Sequence, residues 1–581
     1  MSNGEPPAVL AFNDPWHDSS FCIYDANGVT HVEMERFTRR KFETENPIVG
    51  FCEQYPGRVQ EFQFIAVEEG DFLAPLIRRI VRVASVGEVD LPALAELVPS
   101  SSAPALRAAV FERRQSAPPP MHSIQAFLRH LIENKPQVCF YGHHHAHAAN
   151  AFFSSGFRSA LTITLDGGGT DYVLDDAGNQ QPCELYGGVY RCEDTSIVRI
   201  SHLIEPALGL AWTRVTEMLG LPWGDQGTVM AMAALGESSR FMKLFDEPFF
   251  WMRNFGRLDD STQESVHRFL GGARDCLRAE QDRYDMAAAL QAATEYRVKN
   301  YMQQYLTNDI SHLCIAGGVA LNCQLTGKIQ RWFPNLRALF VPPAPYDGGV
   351  SMGGAQIVRH EKLGVPHAVG PKEMAPFGLG KTYSQADIVA ACALHGLTAR
   401  ATDDHEIVGL LDSGRIVGLF GGPAESGRRA LGHRSIIADP RDGRMKDKIN
   451  AIKHRQWFRP LAPMVLAECV GQWFDCPDDF RSPYMSFAIQ MRPGLQERVP
   501  AIVHLDGSAR IQTVHRELSP LIHQFLSRWH QRTGVPMLVN TSFNDREPIV
   551  ETPGDALETY RRIGMDAVYF IDHHMVVSKA G

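Results

Sequence analysis

The segment Tyr141-Gly142-His143-His144-His145-Ala146-His147-Ala148, followed by an apolar run that closes on Asp166-Gly167-Gly168-Gly169, most restricts how this chain can fold. His143 and His147 stand four residues apart, so a helix through them projects both imidazoles from one face, where they can grip one ion. The stretch Ala160-Leu161-Thr162-Ile163-Thr164-Leu165 reads as a buried strand. Asp166 ends it beside a glycine loop, where a carboxylate is well placed to meet metal or phosphate. Two imidazoles with carboxylates suit iron, zinc or manganese better than magnesium. The competing reading is a polar helix surface followed by an ordinary turn.

At 581 residues and 64.7 kDa the chain exceeds one ordinary core, so two large domains or more are expected. A formal charge of −9 and a pI near 6.2 give no bulk attraction for nucleic acid or anionic membrane, so neither is expected as a partner. The start, Met1-Ser2-Asn3-Gly4-Glu5-Pro6-Pro7, is neither basic nor followed by a secretory apolar core, and no stretch approaches a transmembrane span. The 11 cysteines are scattered without a C-x-x-C pair, which argues against a zinc ribbon and for reduced thiols in a cytoplasmic protein.

The opening Ala8 to Asn13 reads as a strand running into the polar loop Asp14-Pro15-Trp16-His17-Asp18. Ser20 to Tyr24 resumes as a strand, Asp25-Ala26-Asn27-Gly28 turns, and Val29 to Glu33 returns. Such a meander opens nucleotide-binding domains of the actin and sugar-kinase type. From Phe72 to Lys135 the pattern turns helical, with Ser100-Ser101-Ser102 and Ala117-Pro118-Pro119-Pro120 as exposed connections. A helical block, Ala287 to Leu306, precedes a strand at His312 to Ala316. Gly317-Gly318-Val319-Ala320-Leu321-Asn322 then starts another helix, where glycines let backbone approach a nucleotide and the helix N-terminus favours phosphate; a plain tight turn is the alternative. After Leu339-Phe340-Val341, Asp347 reads as an N-cap. The Gly-, Pro- and Lys-rich stretch from Gly364 to Tyr383 places a domain boundary near residue 370, giving domains 1–370 and 371–581. Beyond it, helices alternate with β-rich runs such as Ile416 to Phe420 and Val535 to Asn540.

Three groups of segments in the carboxy-terminal part carry more polar chemistry than a scaffold needs. They are Glu425 to Ser435 with Asp439-Pro440-Arg441; Asn450 to Arg455 with Phe458-Arg459-Pro460; and His504 to Arg510 with Asn540 to Asn544. Arginine and lysine beside apolar strands in an acidic protein indicate a focused anion site. Guanidinium forks match phosphate and carboxylate oxygens, and lysine adds a point charge.

With these residues in view the chain resembles, over nearly its whole length, the O-carbamoyltransferase family that includes enzymes decorating antibiotics and nodulation factors. The amino-terminal markers are His17-Asp18, Glu35-Arg36-Phe37-Thr38-Arg39, His143 to His147, Asp166, Gly317 to Asn322 and Asp347. The carboxy-terminal markers are Arg429-Ala430-Leu431-Gly432 with Arg434-Ser435, Lys453, Arg459-Pro460, Asp506-Gly507 with Arg510, and Asn540-Thr541-Ser542-Phe543-Asn544. The resemblance implies an α/β protein with two domains. The first would be a metal- and nucleotide-binding actin-fold domain similar to that of tRNA threonylcarbamoyl transferases. The second would be a YrdC-like domain that binds carbamoyl phosphate and forms a carbamoyl-adenylate from it and ATP. The carbamoyl group would then pass to a hydroxyl of a small-molecule acceptor, as in antibiotic biosynthesis.

The resemblance further implies ferrous iron on His143, His147, Asp166 and Asp347, and nucleotide contacts at Gly167, Gly168, Gly317, Gly318 and Asn322, with Mg2+ accompanying ATP. Carbamoyl phosphate would be held by Arg429, Arg434, Lys453, Arg459, Arg510, Ser542 and Asn544, with Arg459 and Arg510 stabilising departing phosphate. His17 would take the acceptor's proton, a structural histidine in the loop being the alternative. A reactive mixed anhydride favours an internal passage sheltered from water. The family also admits a homodimer.

Two departures stand out: Gly427-Arg428-Arg429 where Gly-Pro-Arg is usual, and Thr228 and Ala231 in Gly227 to Ala233 where Lys and Gly are usual. Related readings fit less well. Hydrogenase-maturation carbamoyltransferases add zinc-binding Cys pairs that this chain lacks. The acidic balance and the absence of a basic stripe weigh against a tRNA-modifying enzyme. An H-x-x-x-H metalloprotease leaves the anion site unexplained, and a non-catalytic ATP- and metal-binding switch would not consume carbamoyl phosphate.

Overall fold

A computed structural model describes residues 6–14, 17–86, 119–174, 179–252, 260–370 and 372–579. The chain forms two compact units. The first comprises Met1–Ile204, His312–Gly318 and Ala344–Ala375; the second comprises Glu205–Ser311, Val319–Pro343 and Pro376–Gly581. The sequence boundary near 370 falls within a few residues of the last crossing, at Ala375, but the segments Glu205–Ser311 and Val319–Pro343 group with the carboxy-terminal part. No helix among the described residues is long and apolar enough to cross a membrane.

The first unit grows from the meander read in the sequence. Strands β1 (Val9–Phe12), β2 (Ser20–Asp25) and β3 (Gly28–Glu33) pair antiparallel. Then β4 (Phe64–Glu68) and β5 (Gln137–Tyr141) add in parallel, giving the order β3-β2-β1-β4-β5. An antiparallel meander extended by parallel strands is the actin-type topology, so the α/β class expected from sequence is the one observed. Every side chain of β1 is buried, because a central strand covered on both faces must be apolar throughout. Phe12, Phe21, Phe51 and Phe127 meet edge to face and form the centre of this core.

The second sheet of this unit carries β6 (Ser159–Leu174), β7 (Gln180–Glu193), β8 (Ser196–Leu203) and β9 (His312–Ala316) in the order β9-β6-β7-β8. Asp166 does not end its strand, as the sequence suggested. Strand β6 continues to Leu174, and its register against β7 shifts between Leu165 and Gly169. The glycines make a β-bulge, which re-aims the Asp166 side chain without terminating the ladder. Pro119 and Pro120 open the helix Pro119–Arg129 and are not a connection; proline suits a first helical turn, whose amide is unpaired in any case. Ser100-Ser101-Ser102 and Ala117-Pro118 lie outside the described residues.

In the second unit a short strand β10 (Ala338–Phe340) precedes a nine-stranded mixed sheet. Its members are β11 (Arg400–Ala401), β12 (Val417–Phe420), β13 (Arg434–Ala438), β14 (Ala462–Leu466), β15 (Phe487–Gln490), β16 (Ser508–Val514), β17 (Met537–Ser542), β18 (Ala567–Phe570) and β19 (Met575–Ser578). They lie in the order β11-β19-β18-β12-β13-β17-β14-β16-β15. Trp529 and Phe525 of the helix Pro520–Thr533 pack with Leu419, Ile437, Met464 and Leu538 on one face of this sheet. Polar residues at the ends of β13, β16 and β17 are therefore held on a rigid frame.

Candidate functional site

Two polar centres emerge, one in each unit. In the first, the helix His143–Phe153 follows β5 directly and points His143 and His147 the same way, as the four-residue spacing requires. Their Nε2 atoms approach to 3.1 Å. Helix Val350–Gln356 packs closely on this one, since a Cβ at Gly353 would fall 2.0 Å from the Ala146 carbonyl oxygen. Asp347 is not an N-cap: Tyr346 holds that position, and Asp347 begins the short helical turn Asp347–Gly349. Tyr346 fixes this turn by donating to Glu33 Oε2 at 2.5 Å.

One ligand atom each from His143, His147, Asp166 and Asp347 lies within 4.8 Å of the other three. Asp166 Oδ2 is 2.8 Å from His147 Nε2, yet the approach is not aligned as a hydrogen bond, and among the described residues this buried oxygen has none. Two imidazole nitrogens facing each other beside a buried, unbonded carboxylate oxygen form a poor hydrogen-bonded cluster and a good donor set. Imidazole and carboxylate together fit a divalent transition ion. Burial works against charge on these groups, but Asp347, Asp166 and Glu68 raise the His143 imidazole well above its ordinary pKa. Burial likewise opposes ionisation of Asp166, and the two histidines nonetheless hold it well below the carboxylate range. Both shifts mark a carboxylate-rich field that favours positive charge, which is held here as protons on the imidazoles and which a bound cation would replace.

Glu68, which the sequence reading passed over, accepts from His143 Nδ1 at 2.6 Å and turns Nε2 toward the cluster. Such a carboxylate behind a histidine fixes the tautomer and ring orientation. Its sequence signal was faint: an acidic residue closing the apolar strand β4. The remaining histidines of the run differ in role. His144 bonds Leu185 O at 2.9 Å and Thr164 Oγ1 at 3.1 Å, and burial first, then its charged neighbours His143 and His147, push it down to about 3, a neutral structural group. His145 pairs with Glu361 at 2.7 Å and stacks on Tyr190.

His17 stands at the edge of this centre. Its Nδ1 is 2.9 Å from Asp18 Oδ2 and its Nε2 is 3.3 Å from Asp347 Oδ2. Asn13 pins the loop by donating to Asp18 O at 3.0 Å and accepting from Ser20 N at 2.7 Å. Of the glycines singled out, Gly167 donates its amide to Asp166 Oδ1 at 2.6 Å, and a Cβ at Gly318 would sit 2.9 Å from the same oxygen. Gly317 has φ +91° and its Cβ would strike the Leu165 backbone, so only glycine fits there. Gly168 is also left-handed, at φ +137°. Asn322 is separate from them. It belongs to the second unit, caps the helix Cys323–Thr326 and donates to Gln291 Oε1 at 2.9 Å. Its polar atoms are used for structure.

The second centre gathers arginines. The loop presenting Arg429 is folded around Glu425, whose Oε1 accepts from the amides of Leu431, His433 and Arg434 at 2.8, 2.8 and 2.9 Å. Asn540 and Gln512 hold the same loop through the carbonyls of Ala430 and Leu431 at 3.1 and 2.7 Å. Arg429 donates to Leu321 O at 3.3 Å. Burial, then the neighbouring guanidiniums of Arg510, Arg428 and Arg459, push it down to about 9. Arg428, where proline is usual, thus adds to the local positive field.

Arg455 was not among the expected site residues, although it lies two positions after Lys453. Burial followed by Arg459 and Arg510 lowers it to about 9 also, and it donates to Thr541 Oγ1 and Ser542 Oγ, both at 3.3 Å. Burial depresses Arg459 too, against the pull of Asp225 and with the push of Arg510. Arg459 donates to Thr228 Oγ1, whose hydroxyl donates onward to Asp225 Oδ1 at 2.8 Å. Among the described residues the buried Nε of Arg510 has no hydrogen-bond partner. Desolvated guanidiniums that depress one another, flanked by hydroxyls, form a site for an anion with several oxygens.

Two expected members are placed otherwise. Arg434 is fully buried, stacks 3.7 Å over the Phe420 ring and donates to the carbonyls of Gly421, His433, Gly422 and Glu551 at 2.9 to 3.2 Å. It clamps backbone, because a buried fork is satisfied most cheaply by carbonyls. Lys453 is likewise buried and ties Ser542 O, Asn544 O and Asn544 Oδ1 together. Ser542 and Asn544 are linked at 2.6 Å, so Lys453 shapes the loop that offers the Ser542 hydroxyl to Arg455.

Comparisons with known proteins bear on both centres. The family descriptions Carbamoyltransferase N-terminus and Carbamoyltransferase C-terminus match residues 121–356 and 408–579. The chain is 33% identical over 447 residues to nodulation protein NolO of Bradyrhizobium diazoefficiens, covering 73% of this chain and 77% of that one. It is 29% identical to nodulation protein NolNO of Sinorhizobium fredii, over 95% of this chain and 78% of the relative. Among solved structures, full-length HypF in its phosphate- and nucleotide-bound form aligns with 62% of this chain and 56% of its own, at 11% identity and a TM-score of 0.31, too distant to carry an argument. On the family descriptions and these relatives, the chain belongs to the carbamoyltransferase family and is a carbamoyltransferase.

Proposed function

We propose that this carbamoyltransferase uses ATP and carbamoyl phosphate, passes through a carbamoyl-adenylate, and carbamoylates a hydroxyl of a small natural product. The observation that carries the reading is the set of half-buried guanidiniums Arg429, Arg455 and Arg459, all lowered by burial and by the neighbouring Arg510. Such a site suits a compact acyl phosphate rather than a protein or nucleic-acid surface. Water takes the phosphoryl group of carbamoyl phosphate, its oxygen bonding phosphorus as the bond to the carbamoyl oxygen breaks, and leaves phosphate, carbamate and a proton. The carbamate oxygen displaces pyrophosphate from the α-phosphorus of ATP, and the acceptor hydroxyl then displaces AMP from the carbamoyl carbon and gives up its proton. Arg459 and Arg510 meet the charge that gathers on departing phosphate, and Arg429 and Arg455 orient it.

In the first unit, Gly167, Gly168, Gly317 and Gly318 flank Asp166 and would let the adenylate's phosphate approach the backbone, whereas ATP, with Mg2+, would react in the second unit where the carbamate forms. A divalent ion, ferrous iron in this reading, would be held by His143, His147, Asp166 and Asp347 and supplies Lewis acidity when bound. Asp18 accepts a hydrogen bond from the His17 Nδ1 proton, so Nε2, 3.3 Å from Asp347 Oδ2, is the ring nitrogen that would receive the proton of the acceptor hydroxyl.

The test is pyrophosphate release by iron-loaded protein given ATP with and without carbamoyl phosphate. Release should require carbamoyl phosphate and fall roughly 10²–10³-fold in Arg510→Ala, as expected for loss of one preorganised charged contact. Release that ignores carbamoyl phosphate, or is absent although both ligands bind, would refute the adenylate route.

A further inference from the structure

Close enough to Arg510 to feel its charge lies one group of opposite character. His504 follows the short helical turn Pro500–Ile502 and closes a tight loop by donating its amide to Ser508 O at 2.8 Å. Its Nδ1 lies 3.2 Å from Ser508 Oγ, and Ser508 Oγ in turn donates to Asp506 Oδ1 at 2.7 Å. Because the serine proton is given to the carboxylate, Ser508 Oγ must accept, so the imidazole proton sits on Nδ1. That leaves Nε2 as a bare lone pair. This atom is buried and, among the described residues, has no hydrogen-bond partner.

The surroundings place it beside the arginines. Arg510 stands two residues beyond Ser508 on β16 and so shares its face of the strand. The Asp506 carboxylate also takes the Gln324 side chain. Gln324 is next to Cys323, which lies in the surroundings of Arg429, and Arg429 itself bonds Leu321 O. Burial, opposed by Asp506 and reinforced by Arg510 and Lys446, pushes the imidazole down to about 4, which keeps it neutral at pH 7.

Carbamoyl phosphate has two unlike ends. Its phosphate accepts hydrogen bonds, and its amide nitrogen donates them. Guanidinium groups have five donors and no acceptor, so they satisfy the first end and repel the second. A buried, unpartnered lone pair near these donors is what the amide end lacks. We infer that His504 Nε2 accepts from the carbamoyl NH2 and selects carbamoyl phosphate over acyl phosphates of the same shape. The inference rests on reading the arginine pocket as the carbamoyl phosphate site and assigns His504 as its specificity residue.

Acetyl phosphate is the diagnostic competitor, since a methyl group replaces the NH2 at nearly constant shape. The experiment measures binding of inorganic phosphate, acetyl phosphate and carbamoyl phosphate to the full-length protein by calorimetry, for wild type, His504→Leu and His504→Gln. Wild type should favour carbamoyl over acetyl phosphate by about tenfold, the worth of one buried hydrogen bond. His504→Leu should lose that preference through weaker carbamoyl phosphate binding alone, with inorganic phosphate and acetyl phosphate unchanged. His504→Gln, which restores an acceptor oxygen, should keep most of it. Undiminished preference in His504→Leu overturns the inference and leaves the pocket reading intact, and so does equal loss of all three ligands, which would make His504 a support of the loop. Failure of wild type to bind any of the three would overturn the pocket reading and the inference with it.

Discussion

Arg429 and Arg434 lie five residues apart in one polar run, yet their surroundings make them different tools. Arg434 spends its donors on four backbone carbonyls, whereas Arg429 is held by one carbonyl and faces other arginines. Residue type and spacing cannot separate the two, because the difference lies in which backbone groups the distant segments at Gly421 and Glu551 leave unpaired. Thr228 shows the same dependence on partners. Where a lysine is usual in the resembling family, this chain has a hydroxyl that bonds Arg459 and passes its own proton to Asp225. A lysine would repel Arg459; the threonine anchors it. Thr228→Val should therefore weaken phosphate binding by about 1 kcal/mol, roughly fivefold, with Thr228→Ser close to wild type. Titration calorimetry with inorganic phosphate reads this directly, and an unchanged dissociation constant in Thr228→Val would show that Arg459 needs no such anchor.

At the scale of elements, the sequence exposed whatever repeats locally. The meander of β1 to β3, strand β9 and the helix through His143 and His147 follow from alternation, turn residues and a four-residue spacing, and they appear where expected. The bulge at Asp166 was hidden because a glycine run signals a turn and a bulge equally well; pairing with β7 decides it. Glu68 carries no sequence signal beyond its place at a strand end, and Arg455 and His504 stand in polar segments that the sequence marks without giving either a role, because those roles depend on contacts between segments far apart in sequence. The end of the helical segment Ile357–Lys362 gives an element-level test. His360 is buried against Phe153, and its Nδ1 donates to Val365 O at 2.6 Å. Burial first, against that hydrogen bond and with His367 and Arg359, pushes its pKa from 6.5 to about 4. The unfolded chain therefore takes up the proton first. Stability is complete above pH 6.5, falls between 6.5 and 4, and has lost this share entirely below 4, at most about 3 kcal/mol. His360→Asn keeps a donor for Val365 without titrating. The gap between wild type and variant in urea melts should shift in the variant's favour by roughly 2.4 kcal/mol from pH 7 to pH 4.5, and a gap independent of pH would refute the assignment.

For the molecule as a whole, the two centres sit in units that the chain enters more than once. Segments Glu205–Ser311 and Val319–Pro343 belong with the carboxy-terminal part, while His312–Gly318 and Ala344–Ala375 return to the first unit. The four clustered ligands come from three stretches of the first unit, one of them the returning segment that brings Asp347. An ion bound there ties the returning segment to the helix of His143 and to β6, and so must stabilise the folded unit by linkage. At 100 times its dissociation constant it should add about 2.7 kcal/mol. A unit of this size gains about 2–4 °C per kcal/mol, so the transition carrying it should rise by roughly 5–10 °C. Calorimetric scans of chelated protein with added Fe2+ or Mn2+ test this under anaerobic conditions. Asp166→Asn and Asp347→Asn should abolish the shift, while Arg510→Ala, in the second unit, should retain it. Equal shifts in all four proteins would mean that the ion binds elsewhere, and no shift in wild type would leave the four ligands as a hydrogen-bonded cluster with no metal to hold.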